Sequence, residues 1–191
     1  MINKRLKCLV NPTEEEILKR EPLLKFSFYL SDKNNILLIT LDDIIDKLDR
    51  GFGTGSVDSQ LVGEASVLTW FWTLGAYEVI RTICQAEDCF DNGFIDKLKK
   101  LKEKLAIVRV PSSKMEKKGK IKPVNSNRSP DGWDVERKDL IIGDPENPLS
   151  ARKLFEQYDE TMSSLTINDV IRRHEESIYF DKHNNSQHKK N

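Results

Sequence analysis

The sequence predicts a mainly α protein, a helical bundle around a long central helix with one or two short β-hairpins, with an α+β arrangement as the competing class. Three observations predict it. Apolar residues recur at spacings of three and four through residues 57–85 and again through 94–108. Polar capping residues stand just before the apolar periods. Turn-forming residues concentrate in one stretch, 112–148, which holds four of the seven prolines and three of the nine glycines.

In NPTEEEILKREP, Thr13 is placed to cap a helix with Glu16 three residues on, the capping-box spacing, and Pro22 should end it. KFSFYL and ILLIT then flank SDKNN, which reads as a hairpin about a polar turn. Thr40 would cap a following helix, LDDIIDKLD. A continuous helix over 34–49 competes with that reading, because short apolar runs do not distinguish strand from helix.

The run GFGTGS, Gly51 to Ser56, precedes the long helix predicted over Val57–Gln85. Glycines ahead of a helix can gather backbone amides around a phosphate. The P-loop, however, needs a lysine after its last glycine, and the dinucleotide fingerprint needs a preceding strand and GxGxxG spacing. GFGTGS has neither, so it reads as a helix connector with Gly51 as a C-cap and Ser56 or Asp58 capping the next helix. Leu61, Ala65, Leu68, Trp72, Ala76, Val79 and Ile83 form one stripe of that helix, and Phe71, Leu74, Ile80 and Cys84 a second. A helix apolar around most of its circumference belongs in the interior. The next helix carries Phe94, Leu98, Leu101, Leu105 and Val108 on one face and should stop or bend at Pro111.

Within the proline-rich stretch, GWDV and DLII separated by ERK predict a small hairpin. Ser150 should cap ARKLFEQYDETMSSL, and Asn168 should begin a last amphipathic helix through DVIRRHEESIYF. The expected organisation is one globular domain over 1–180, with subregions 1–50, 57–110, 111–148 and 149–180, and a disordered tail over 181–191.

Of 191 residues, 31 are basic and 31 acidic, so net charge favours no class of partner. No apolar run approaches the roughly 20 residues that cross a bilayer, and the N-terminus is too charged for a signal peptide. The expected location is therefore cytoplasmic, without membrane association. Cys8, Cys84 and Cys89 form no CxxC pair and read as reduced thiols. No metal and no cofactor are expected. Histidine occurs only at 174, 183 and 188, which argues against a histidine-dependent nucleophile and leans the reading away from an enzyme.

Three groups of residues could form a site. Residues 97–122 hold eleven basic residues against two acidic ones, a local charge of +9 that leaves −9 for the rest. Lys97, Lys100 and Lys104 share a helical face opposite the leucines, and Arg109 and Lys114 continue the charge. The loop VNSNRSPDGWD adds Arg128 and, for stacking on a base, Trp133. Tyr77, Glu78 and Arg81 sit one turn apart in the long helix and could, with Asn127, form an anion pocket; an ion pair closing the core is the simpler reading.

The first functional expectation is a non-enzymatic module binding RNA, DNA or another polyanion through 97–122 and 124–134. The alternatives are an enzyme or ligand sensor with an anion pocket around Arg81 and Arg128, and a protein-interaction or homo-oligomerisation subunit using an exposed patch at Trp70 and Phe71.

Overall fold

The computed structural model describes residues 10–53, 55–114, 131–144 and 147–178. Its α-helices are α1 (Glu14–Arg20), α2 (Leu23–Phe26), α3 (Phe28–Gly51), α4 (Ser59–Gln85), α5 (Asn92–Lys114) and α6 (Ala151–Ser163). Three strands, β1 (Gly132–Asp134), β2 (Asp139–Asp144) and β3 (Asn147–Ser150), form one antiparallel sheet in that order. The mainly α class with a short hairpin is therefore what the chain adopts. Both sides of the expected capping box are present in α1: Thr13 N–H donates to the Glu16 carboxylate at 2.8 Å, and Glu16 N–H donates to the Thr13 hydroxyl at 3.3 Å.

The first expected hairpin does not form. KFSFYL, SDKNN and ILLIT belong to the end of α2 and to the single 24-residue α3. Leu30, Asn34, Leu37, Leu38, Leu41, Ile44 and Leu48 are all buried, so the helical period runs straight through the supposed turn. Ser27 provides the cap, its hydroxyl accepting from Leu30 N–H. Thr40 is a mid-helix residue whose hydroxyl donates back to the Ile36 carbonyl at 2.8 Å.

α4 packs antiparallel against α3 in a helical hairpin closed by the glycine run. Gly51 is the last residue of α3 rather than a left-handed cap, and Phe52 follows with φ −96°. The glycine is needed for proximity, since a Cβ there would stand 2.7 Å from Val62 Cγ2. Gly55, at φ +107°, makes the turn. Asp58 caps α4, its carboxylate accepting from Gln60 and Leu61 N–H at 3.0 and 3.1 Å. That carboxylate occupies the place an anion would take, so the connector has no phosphate-cradle geometry.

α4 is the centre of the bundle. Trp72, almost wholly buried, donates from its indole Nε1 to the Leu37 carbonyl of α3 at 3.0 Å. It meets Phe155 and Tyr158 of α6 edge-on, at centroid distances of 4.8 and 5.1 Å. Tyr158 in turn donates to Asn34 Oδ1 of α3 at 2.9 Å. α5 packs on the other side of α4, burying Phe94, Leu98, Leu101, Leu105 and Val108 as their spacing implied.

Pro111 does not stop its helix, and the expected last helix is also revised. α5 continues past Pro111 to Lys114. The Ile107 carbonyl, which loses its helical donor at Pro111, faces β2, where a Cβ on Gly143 would stand 3.6 Å from it. The hairpin expected near 132–142 is present, with Asp134 paired to Asp139, and β3 extends it to a third strand. Over the described residues 168–177 the last amphipathic helix does not form, and only the short 3-10 turn His174–Glu176 is helical. Instead Val170 forms a bridge with Phe90, Asp91 N–H donates to the Asp169 carbonyl, and Ile171 N–H donates to the Cys89 carbonyl, both at 2.8 Å. Lys25 Nζ donates to the carbonyls of Ile167 and Val170 at 3.1 and 2.6 Å. With these partners the backbone of 167–171 has its hydrogen bonds outside a helix, and the segment becomes a strap over the α4–α5 joint.

The strap is held by two titrating groups. His174 sits edge-on to Phe26 at 5.0 Å, and burial pushes its pKa below the ordinary 6.5, against a smaller upward pull from Glu175. At Asp88, burial pushes the pKa up, but hydrogen bonds from Ser177 Oγ (2.7 Å) and Ile178 N–H, with Arg172 nearby, bring it below 3.8. A depressed histidine pKa means the fold keeps the neutral imidazole, so this stabilisation is complete above about pH 6.5 and is lost as pH falls through the lower folded value. The Asp88 contribution is lost only below pH 3.8. Thermal melts should therefore show the chain less stable at pH 5 than at pH 7, and His174→Leu should flatten that dependence. An unchanged slope in the variant would assign the acid sensitivity elsewhere.

Candidate functional site

The basic face lies along the solvent side of α5, where it borders α6. α5 and α6 run antiparallel, so Lys97 reaches Ser164 Oγ at 3.4 Å while Lys104 reaches Gln157 Oε1 at 2.8 Å. Lys100 lies between them on the same face and is exposed. Both anchoring acceptors are neutral. The ammonium groups of Lys97 and Lys104 are thus positioned without being neutralised, and neither they nor Lys100 forms an ion pair among the described residues. Lys99, on a neighbouring face, is instead paired with Glu87 at 2.6 Å, which holds its pKa above the ordinary value.

Arg109 departs from this face. It packs over the Tyr77 ring at 4.6 Å and pairs with Glu78 at 3.4 Å. Glu78 also accepts from Arg81 Nε at 2.7 Å. Tyr77, Glu78, Arg81 and Arg109 therefore do meet, but as a network in which one carboxylate is shared by two guanidiniums. The groups are partly exposed, which limits the energy of each pair to about 1 kcal/mol or less.

Trp133 stands on the outer strand β1, 43% exposed. The sheet reaches α5 where Gly143 meets Val108, one turn beyond Lys104. Lys114 closes α5, with its side chain outside the described residues. Asn127 and Arg128 also lie outside them, as do Cys8, the tail 181–191 and the whole basic run beyond α5.

Concavities on the described surface include a crevice and a groove, both lined in part by α3. A crevice of about 180 Å³ lies between α1, α3 and α6, where Glu21 accepts from Asn35 Nδ2 at 2.9 Å and from Ser31 Oγ at 3.4 Å. A more apolar groove of about 330 Å³ runs between α3 and α4, with Tyr29, Ile36, Leu37 and Gly75 in its walls and Lys33 and Glu78 on opposite sides. Neither was legible in the sequence, because both depend on which faces of α3 the fold leaves open. Gln157 and Ser164 were missed for a similar reason: no local pattern marks an uncharged residue that anchors a lysine on another helix.

Cys84 and Cys89 are buried free thiols. Burial raises both pKa values, that of Cys89 to about 11, so neither is activated as a nucleophile. Among the described residues, no group of three or more His, Cys, Asp or Glu side chains is arranged to hold a metal ion. No helix among them is long and apolar enough to cross a membrane. No family model, curated protein or solved structure matches the chain.

The network at Glu78 gives a direct test of its weight. Glu78→Gln should lower unfolding stability by no more than about 1 kcal/mol in urea denaturation. A loss above about 3 kcal/mol would instead mean that the two arginines are buried charges dependent on it.

Proposed function

We propose that this protein is a non-enzymatic binding module that engages a polyanion, RNA or DNA, through the α5 face carrying Lys97, Lys100 and Lys104. The observation that carries this reading is the anchoring of Lys97 and Lys104 by the neutral acceptors Ser164 and Gln157. A lysine restrained by a carboxylate has already exchanged its field for an ion pair, whereas one restrained by an amide or hydroxyl still presents a full positive charge. The three residues span about 10 Å of helix at 1.5 Å per residue, a length over which a duplex with one charge per roughly 1.7 Å presents about six phosphates. Release of condensed counterions then supplies the driving force. Arg109 contributes less to this reading because Glu78 and Tyr77 occupy it.

An anion pocket at Arg81 has weaker support, since the Glu78 carboxylate already takes the position an anionic ligand would fill.

Binding to duplex and single-stranded probes, measured across a salt series, tests the proposal. Replacing Lys97, Lys100 and Lys104 together by Gln should weaken binding and reduce the slope of log affinity against log salt by about 2.7 for duplex, or about 0.9 per lost contact. Absence of binding at low salt, or an unchanged slope in the triple variant, would refute it.

A further inference from the structure

In the crevice between α1, α3 and α6, aliphatic walls surround two polar groups that the fold leaves half used. Leu38 and Ile39 of α3 and Met162 and Leu165 at the end of α6 belong to those walls. Asn34 is only 9% exposed, and its Oδ1 accepts from Tyr158. Its Nδ2 makes no hydrogen bond among the described residues and is not sealed by protein, so it opens into the crevice that Asn34 lines. A nearly buried amide N–H is costly without an acceptor, and here water or a guest must supply one.

Glu21 is the complement of Asn34. Its Oε2 takes both Asn35 Nδ2 and Ser31 Oγ, while Oε1 has no partner among the described residues. Ser31 and Asn35 flank Asn34 on α3, so the carboxylate is tied to the wall on which Asn34 stands. A spare donor is thereby set beside a spare acceptor. Such a pair reads the hydrogen-bonding edge of a nucleobase. Uracil offers N3–H next to a carbonyl oxygen, and cytosine offers its N4 amino group next to N3; either would donate to Glu21 and accept from Asn34.

Size narrows the choice to one ring. The crevice holds about 180 Å³, a little more than the roughly 150 Å³ cavity that takes up benzene. A single six-membered ring fills it, and a fused purine would leave part of itself outside. Position supplies a source for that ring. Ser163 lines the crevice, and the next residue, Ser164, holds Lys97 Nζ at 3.4 Å. Lys19, exposed, stands on the α1 side. A strand whose phosphates reach Lys97 therefore has a base slot directly beside it.

We propose that this crevice is a subsite for one pyrimidine base of a single-stranded nucleic acid, its edge held by Asn34 Nδ2 and Glu21 Oε1 and its ring enclosed by aliphatic side chains. The strand as the source rests on the reading of α5 as a polyanion-binding face; the chemistry of the slot would take a free pyrimidine nucleoside as well.

Fluorescence anisotropy of the full chain with short oligouridine, oligocytidine and oligoadenosine at one salt concentration tests the proposal. The wild type should bind a pyrimidine probe at least about fivefold more tightly than oligoadenosine, the discrimination expected of one paired base edge. Glu21→Gln turns a spare acceptor into a donor at constant shape, and Ile39→Trp fills the mouth from an exposed position. Each should abolish the preference without changing the salt dependence, with an unchanged far-ultraviolet spectrum showing that the fold survives. The triple Gln variant at Lys97, Lys100 and Lys104 should weaken all probes alike and keep the preference, so the two readings fail separately. If no oligonucleotide binds, uridine and cytidine titrated into isotope-labelled protein decide: a shift of the Asn34 side-chain amide signal keeps the slot while removing the polyanion face. Equal affinity of the wild type for all probes, a preference that survives either slot variant, or an unmoved Asn34 signal where oligonucleotides fail would overturn the proposal.

Discussion

The fold depends on one buried junction in which three helices meet around Trp72. Its indole is fixed at both ends: the N–H by the Leu37 carbonyl of α3, and the ring by Phe155 and Tyr158 of α6. Tyr158 closes the circuit by donating to Asn34, one turn before Leu37 on α3. A buried hydroxyl, carboxamide and indole N–H are costly unless every one finds a partner. The arrangement that satisfies all three specifies how α3, α4 and α6 sit together, which apolar packing alone would leave less sharply defined.

The surfaces argued to bind follow from that arrangement. With α6 held against α3 and α4, its other flank borders α5 in antiparallel register, and Gln157 and Ser164 meet Lys104 and Lys97. The same contact closes the crevice where Asn34 and Glu21 keep spare hydrogen-bonding atoms. The lysine face and the Glu21 side of the crevice use different side chains, so each can be altered without dismantling the other.

The sequence disclosed most of what is local. Capping residues at Thr13, Asp58 and Ser150, the core stripe of α5 and the β1–β2 turn are written in short windows and formed as expected, whereas the second expected stripe of α4 is only partly buried, with Phe71 57% exposed. SDKNN misled because its polar residues resemble a turn, while the interaction that makes Asn34 a core residue comes from Tyr158, 124 positions away. The last helix failed for the same reason: DVIRRHEESIYF has helical character, but its carbonyls and amides found Lys25, Cys89 and Asp91 first. At the site, the run of lysines was visible, but which of them an acid would neutralise was not. Arg109 lost its expected role to Glu78, a residue 31 positions earlier whose own pairing with Arg81 was visible from spacing alone.

The central claim is that Asn34, Tyr158 and Trp72 act as one unit, and a double-mutant cycle between Asn34→Ala and Tyr158→Phe measures it most directly. Each single substitution strands a buried polar partner and should cost about 1–3 kcal/mol in equilibrium unfolding. The double variant should cost less than the two single losses together, with a coupling of at least about 1 kcal/mol. Losses that add to within about 0.5 kcal/mol would contradict the account, because they would show the two side chains acting independently.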